Sequence, residues 1–128
     1  TWGLGTFEKD FPTFFMTRID NGNGCPFSYQ IFDKQTGKNI LGDDVESISY
    51  AYLRDTLFML CDSGNELNRS DSIILFNVRT KAKELFKLPN DLPEFCDIQI
   101  DKLSRKSLRL SFETYLGDNF EGTKTYSR

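Results

Sequence analysis

Apolar and polar positions alternate with a period of two along most of this chain, and the alternation is broken at regular intervals by turn residues. The clearest stretch, 45–88, reads as four short strands separated by three turns. Ile48, Tyr50 and Tyr52 alternate with Ser47, Ser49 and Ala51, which predicts one apolar face and one small or polar face. Leu57 to Cys61 is apolar on both sides, the pattern of a strand buried between neighbours. Ile73 to Val78 follows, and Leu85 to Leu88 comes after a polar turn at Arg79-Thr80-Lys81.

The same grammar extends to both sides. Phe14 to Ile19 and Phe27 to Phe32 read as strands around the turn Asp20-Asn21-Gly22-Asn23-Gly24, whose residues accept positive φ. Trp2 and Leu4 open the chain as a candidate edge strand, broken at Phe11-Pro12. Pro89 to Pro93 is a connector, since two prolines disfavour pairing. Beyond it, Ile98 with Ile100, and Leu108 with Leu110 and Phe112, alternate with polar residues on either side of a turn at 104–107. A last short strand is predicted at 123–126. No stretch sustains a helical period, so the expected fold class is all-β, built of antiparallel sheets.

Parts of the pattern repeat. Ile31-Phe32-Asp33 through Thr36 aligns with Leu75-Phe76-Asn77 through Thr80 at an offset of 44 residues. Ile48, Tyr50, Leu53 and Leu57 align with Ile98, Ile100, Leu103 and Leu108 at 50 or 51. Repeats of roughly 40 to 50 residues are a sequence mark of propeller blades. The run from Phe32 to Ile40, an apolar strand followed by Asp-x-x-Thr-Gly-Lys and a return strand, resembles the turn between the third and fourth strands of WD-repeat and related blades. The Trp-Asp and Gly-His pairs of true WD repeats are absent. The resemblance implies one domain of about three blade-like sheets, with units near 1–44, 45–93 and 94–128, in an incomplete propeller-like arrangement. In size and sheet pattern the chain also resembles small periplasmic immunity proteins that neutralise cell-wall amidases of the type VI secretion system. That resemblance implies a periplasmic or secreted protein whose partner is a secreted hydrolase.

Composition narrows the picture further. With 128 residues the chain is long enough for a core that needs neither metal nor disulfide, and its twelve Phe and five Tyr suit strands. The net charge of −3 is spread over both signs without a basic run, which argues against nucleic acid. No apolar run approaches the roughly 20 residues of a membrane-crossing helix. Cys25, Cys61 and Cys96 lack any CxxC spacing and predict no zinc site. They read either as small buried hydrophobes or as one disulfide, Cys25 with Cys61, in an oxidising compartment.

The chain contains no histidine, which removes Ser-His-Asp and Cys-His catalysis together. Its acidic clusters, Asp43-Asp44, Glu94 with Asp97, and Asp118 with Glu121, fall at strand ends, where carboxylates keep edges soluble. The runs Asp20 to Gly24 and Asp62 to Glu66 offer oxygen ligands for calcium but lack EF-hand spacing, and turn chemistry explains them. No glycine loop for phosphate is present either. The expectation is a chain with no catalytic residues, no metal and no cofactor.

What remains is the connector from Asp62 to Ser72, which joins two apolar strands that need only about two to five residues to form a hairpin. Extra length on a rigid scaffold is where recognition usually resides. Leu67 and Arg69 offer an apolar anchor and a hydrogen-bonding fork. The partner-binding expectation therefore falls on Ser63, Asn65, Glu66, Leu67, Asn68, Arg69 and Ser70. The expected function is a non-catalytic protein-binding domain, an exported inhibitor or immunity protein that blocks a hydrolase active site with this loop. The alternatives are an assembly fragment of a larger β-propeller, or a carbohydrate-binding module using Trp2, Tyr115 and Tyr126.

Overall fold

The structure, a computed structural model, describes residues 6–20, 27–42, 46–62, 72–90, 92, 96–114 and 121–128. Among them there is no helix. Ten strands occur in chain order: β1 (Thr6–Asp10), β2 (Phe14–Ile19), β3 (Ser28–Asp33), β4 (Glu46–Leu53), β5 (Thr56–Asp62), β6 (Ser72–Asn77), β7 (Lys83–Lys87), β8 (Cys96–Leu103), β9 (Ser107–Thr114) and β10 (Glu121–Ser127). They form antiparallel sheets of seven and three strands, β1 to β7 and β8 to β10, each a simple meander. Neither sheet closes into a barrel or propeller.

Strand β5 lies at the centre. Its residues alternate between two cores, so each face is covered by a different layer. Phe58 and Leu60 join Ile73, Leu75 and Phe86 against Ile98, Leu108, Leu110 and Phe112 of the three-stranded sheet. Leu57, Met59 and Cys61 face the other way, against Met16 of β2 and Ile31 of β3. The seven-stranded sheet therefore folds back on itself. The fold point is legible in the register, since β3 and β4 pair only through Tyr29 with Ser47. The result is three layers, β1 to β3, β4 to β7 and β8 to β10, around two cores.

One predicted face is corrected. Ile48, Tyr50 and Tyr52 do not share a side, because a bulge between Ser47 and Ser49 inserts one residue into β4. Ile48 packs on the first core and Tyr50 on the second. The bulge also presents Ser49 to β8, where its Oγ accepts the Ile100 N–H at 3.2 Å. Of the two readings of the cysteines, the small buried hydrophobe fits Cys61, a free thiol on the inner side of β5 whose pKa burial pushes up to about 12. Cys25 lies outside the described residues.

Both repeats recur in three dimensions. The hairpin β4–β5 is matched by β8–β9, and the bounds of β8 are those of β4 shifted by 50 residues. The turns after β3 and β6 share one set of hydrogen bonds. Asp33 Oδ1 accepts from the N–H of Gln35 and Thr36, and Asn77 Oδ1 from those of Arg79 and Thr80. The carbonyl of Asp33 accepts from Gly37 and that of Asn77 from Lys81, both at 2.8 Å. Each turn needs positive φ at that last residue, 73° at Gly37 and 66° at Lys81. Glycine adopts this conformation freely, whereas lysine is strained there.

The three-stranded sheet is clasped to the middle layer at one corner. Arg128 Nε and Nη2 donate to the two carboxylate oxygens of Glu84 on β7, at 3.1 and 2.8 Å. Its Nη1 donates to the Ser104 carbonyl, and its guanidinium lies 5.1 Å from the Phe58 ring centre. The Arg128 side chain is only 11% exposed, so this pair works in a less screened setting than a surface ion pair.

Two outcomes are expected from these contacts. Exchanging the turn residues should act in opposite directions: Lys81→Gly should raise stability and Gly37→Lys lower it, each by about 0.5–1 kcal/mol. An added Cβ at Gly37 meets nothing within 4 Å, so urea denaturation of that variant isolates the backbone term. Arg128→Ala should cost about 2 kcal/mol by the same measurement, with Arg128→Lys recovering less than half because lysine lacks the bidentate fork.

Candidate functional site

The residues predicted to bind a partner, Ser63, Asn65, Glu66, Leu67, Asn68, Arg69 and Ser70, lie outside the described residues. The stem that carries them is described. Strands β5 and β6 stay in register up to Asp62 opposite Ile73, with Cys61 opposite Ile74 one step inward. Ile73 and Cys61 are buried, whereas Asp62 and Ser72, from which the connector 63–71 leaves, are half-buried.

Among the acidic clusters, Asp43, Asp44, Glu94 and Asp118 are outside the described residues. Asp97 Oδ1 accepts from Gln99 Nε2 at 2.8 Å, a contact that helps β8 to meet β4. Among the described residues no group of three His, Cys, Asp or Glu is arranged to hold a metal ion.

Among the described residues, the opposite end of the sheets carries a grooved surface. The turns at 11–13, 33–38, 54–55 and 78–82 gather there and enclose a groove of about 370 Å³. Phe11 and Phe14 stack at 4.4 Å between ring centres, and Tyr52 continues the row at 6.3 Å from Phe11. Tyr52 is 43% exposed, so the aromatic row is open to solvent. Lys9 Nζ stands 4.9 Å from the Tyr52 ring centre and 5.6 Å from that of Tyr50. Behind them Tyr50 donates to Glu8 Oε2 at 2.8 Å, and burial together with this carboxylate drives the phenol pKa upward. Tyr29, edge-on to Tyr50 at 5.0 Å, is raised for the same reasons, burial first.

The rim of the groove is charged with both signs, by Asp33, Asp55, Arg79 and Lys81. A shallower depression of about 320 Å³ adjoins it and shares Asp55 and Arg79. That second depression is lined by Arg54, Arg79 and Arg105, one from each of three hairpin turns. Asp33 is held below its ordinary pKa by the N–H groups of Thr36 and Gln35, with Lys81 adding attraction.

Sequence reading did not identify this end as a site. The signal was nonetheless present: Arg54, Arg79 and Arg105 each occupy a hairpin turn, and the turns recur at related positions of the repeats. No protein-family model, no curated protein and no solved structure matches the chain.

The repeated turn supplies its own control for a pH effect. The bonds to Asp33 favour its charged form, so their contribution is present at neutral pH and lost as pH falls through the lowered folded pKa, below about pH 4. Asn77 makes the same two bonds without a charge. Asp33→Asn should therefore keep the turn and flatten the acid limb of stability. Denaturation midpoints measured from neutral to acid pH should fall less steeply for the variant, and parallel curves would refute the assignment.

Proposed function

We propose that this chain is a non-catalytic protein-binding domain, exported, that inhibits a secreted hydrolase by inserting the connector between β5 and β6 into its cleft. The observation that carries the reading is the stem. The connector departs from the most enclosed strand of the fold, which is held in register to its last residue. Its nine positions, 63–71, exceed what a hairpin between those strands requires, about two to five residues. A rigid stem lowers the ordering cost that a binding loop meets on association. In this mechanism polar side chains of the connector meet the enzyme's catalytic groups while its bulk excludes substrate.

The finer architecture belongs to the same proposal. The offsets of 44 and 50 residues, and the grouping of strands into three layers, support descent from blade-like units of a propeller. An assembly role through strand edges is the second reading, since open sheets leave backbone groups unpaired. The edges speak against it. β1 carries Glu8, Lys9 and Asp10 with a bulge, and β7 carries Lys83, Glu84 and Lys87, the usual guards against edge pairing. A glycan platform is also poorly served by Tyr126, which packs on Phe86 and donates its hydroxyl to the Lys87 carbonyl at 2.7 Å.

The test compares the intact domain with a variant in which residues 64–70 are replaced by a short Gly-Ser turn. Both are immobilised and exposed to secreted proteins of the source organism, after denaturation midpoints establish that the variant folds. The expected result is one stoichiometric hydrolase, retained and inhibited by the intact domain and lost by the variant. Equal retention by the two would overturn the reading.

A further inference from the structure

The turn end of the molecule, at the opposite end of β5 from the stem of the connector, carries a second feature. Arg54 comes from the β4–β5 turn, Arg79 from the β6–β7 turn and Arg105 from the β8–β9 turn, so two of the three layers contribute. All three are exposed, and none of them makes a salt bridge among the described residues. Their convergence is not a by-product of surplus basic charge, because the chain is acidic overall at −3. The depression sets three arginines against one carboxylate, Asp55, and a bound oxyanion offsets that excess of positive charge through paired N–H donors. Arg54 also sits at φ 56°, a strained conformation for a residue with a side chain.

The neighbouring groove qualifies which anion belongs there. Its aromatic row of Phe11, Phe14 and Tyr52 offers an apolar seat directly beside the arginines. Its rim also holds the carboxylates of Asp33 and Asp55, and Asp55 borders both depressions. A polyphosphate or an anionic membrane sets several adjacent negative charges against those carboxylates, a larger repulsion than the spaced single carboxylates of a peptide meet. A polypeptide, which places single charges and N–H donors among apolar groups, is complementary to both signs at once.

We propose that this end binds a peptide segment of a protein partner in which carboxylates flank an aromatic or large apolar side chain. The side chain lies on Phe11, Phe14 and Tyr52, and the carboxylates pair with Arg79 and with Arg54 or Arg105. The site is independent of the connector, so it stands or falls separately from the inhibitor reading.

The probe is a hexapeptide of alternating aspartate and phenylalanine, blocked at both ends, titrated into the labelled protein and followed by NMR. Saturable shifts are expected at Tyr52, Arg54, Arg79 and Arg105, with half-saturation below about 1 mM. The asparagine–phenylalanine and aspartate–alanine analogues should each bind about tenfold more weakly, as should the Arg79→Gln, Arg105→Gln double variant. The variant shortened at 64–70 should bind as the intact protein does. Absence of saturable shifts at these residues, or equal affinity for the asparagine analogue, would overturn the proposal. ATP or pyrophosphate binding more tightly than the peptide would also overturn it, and would make the site one for polyphosphate.

Discussion

A strand that is apolar on both sides has to be covered twice. Strand β5 is such a strand, with Phe58 and Leu60 on one face and Leu57, Met59 and Cys61 on the other. Water is excluded from both faces only if a layer packs on each side, and most of the architecture answers that requirement. The chain folds β2 and β3 back over one face and lays β8 and β9 over the other. The bulge in β4 serves the same end. By turning Ile48 and Tyr50 to opposite sides, it places Ile48 on the first core and Tyr50 on the second, and Ser49 beside them holds β8.

The two cores are joined to their neighbours by different means. The three-stranded sheet is tied to the middle layer by polar contacts as well as packing, through Ser49 with Ile100, Gln99 with the Ile48 carbonyl, and the Arg128–Glu84 clasp. These bonds are directional and fix how the layers sit. On the other side, the turns after β3 and β6 place Asp33 and Lys81 along one groove, so the repeated local chemistry that closes the hairpins also builds the rim of a surface. Local and tertiary structure agree here, which is the condition for a sequence to specify one fold.

Some of this was legible in the sequence and some was not, for physical reasons. The continuous apolar run of β5 declares its double burial without reference to the rest of the chain. The Asp33 and Asn77 turns are equally legible, because a side chain bonding the N–H groups two and three residues on is a local event. The faces of Ile48 and Tyr50 were misassigned because a bulge is decided by the partner strand, and period-two reading assumes none. A place beside a turn leaves Cys61 open to a bridge with Cys25 or to simple burial, and its side is set by the pleat of β5, which turns it into the core. The meeting of Arg54, Arg79 and Arg105 depends on how three hairpins stack, and each arginine alone looks like an ordinary turn residue.

The narrow link between β3 and β4 has a thermodynamic consequence. Among the described residues the first layer shares one backbone register pair with the rest, with Tyr50 to Glu8 and Ser28 to Glu46 as side-chain bonds across the seam. Its hold otherwise comes from buried apolar surface, Met16 and Ile31 against Met59 and Phe76 among others. Apolar contact weakens on cooling, whereas the hydrogen-bonded ladder from β4 to β7 does not depend on that term to the same degree. The seam between β3 and β4 is thus where cooling takes the largest share of what holds two layers together, because the first layer leans on apolar contact more than the ladder from β4 to β7 does.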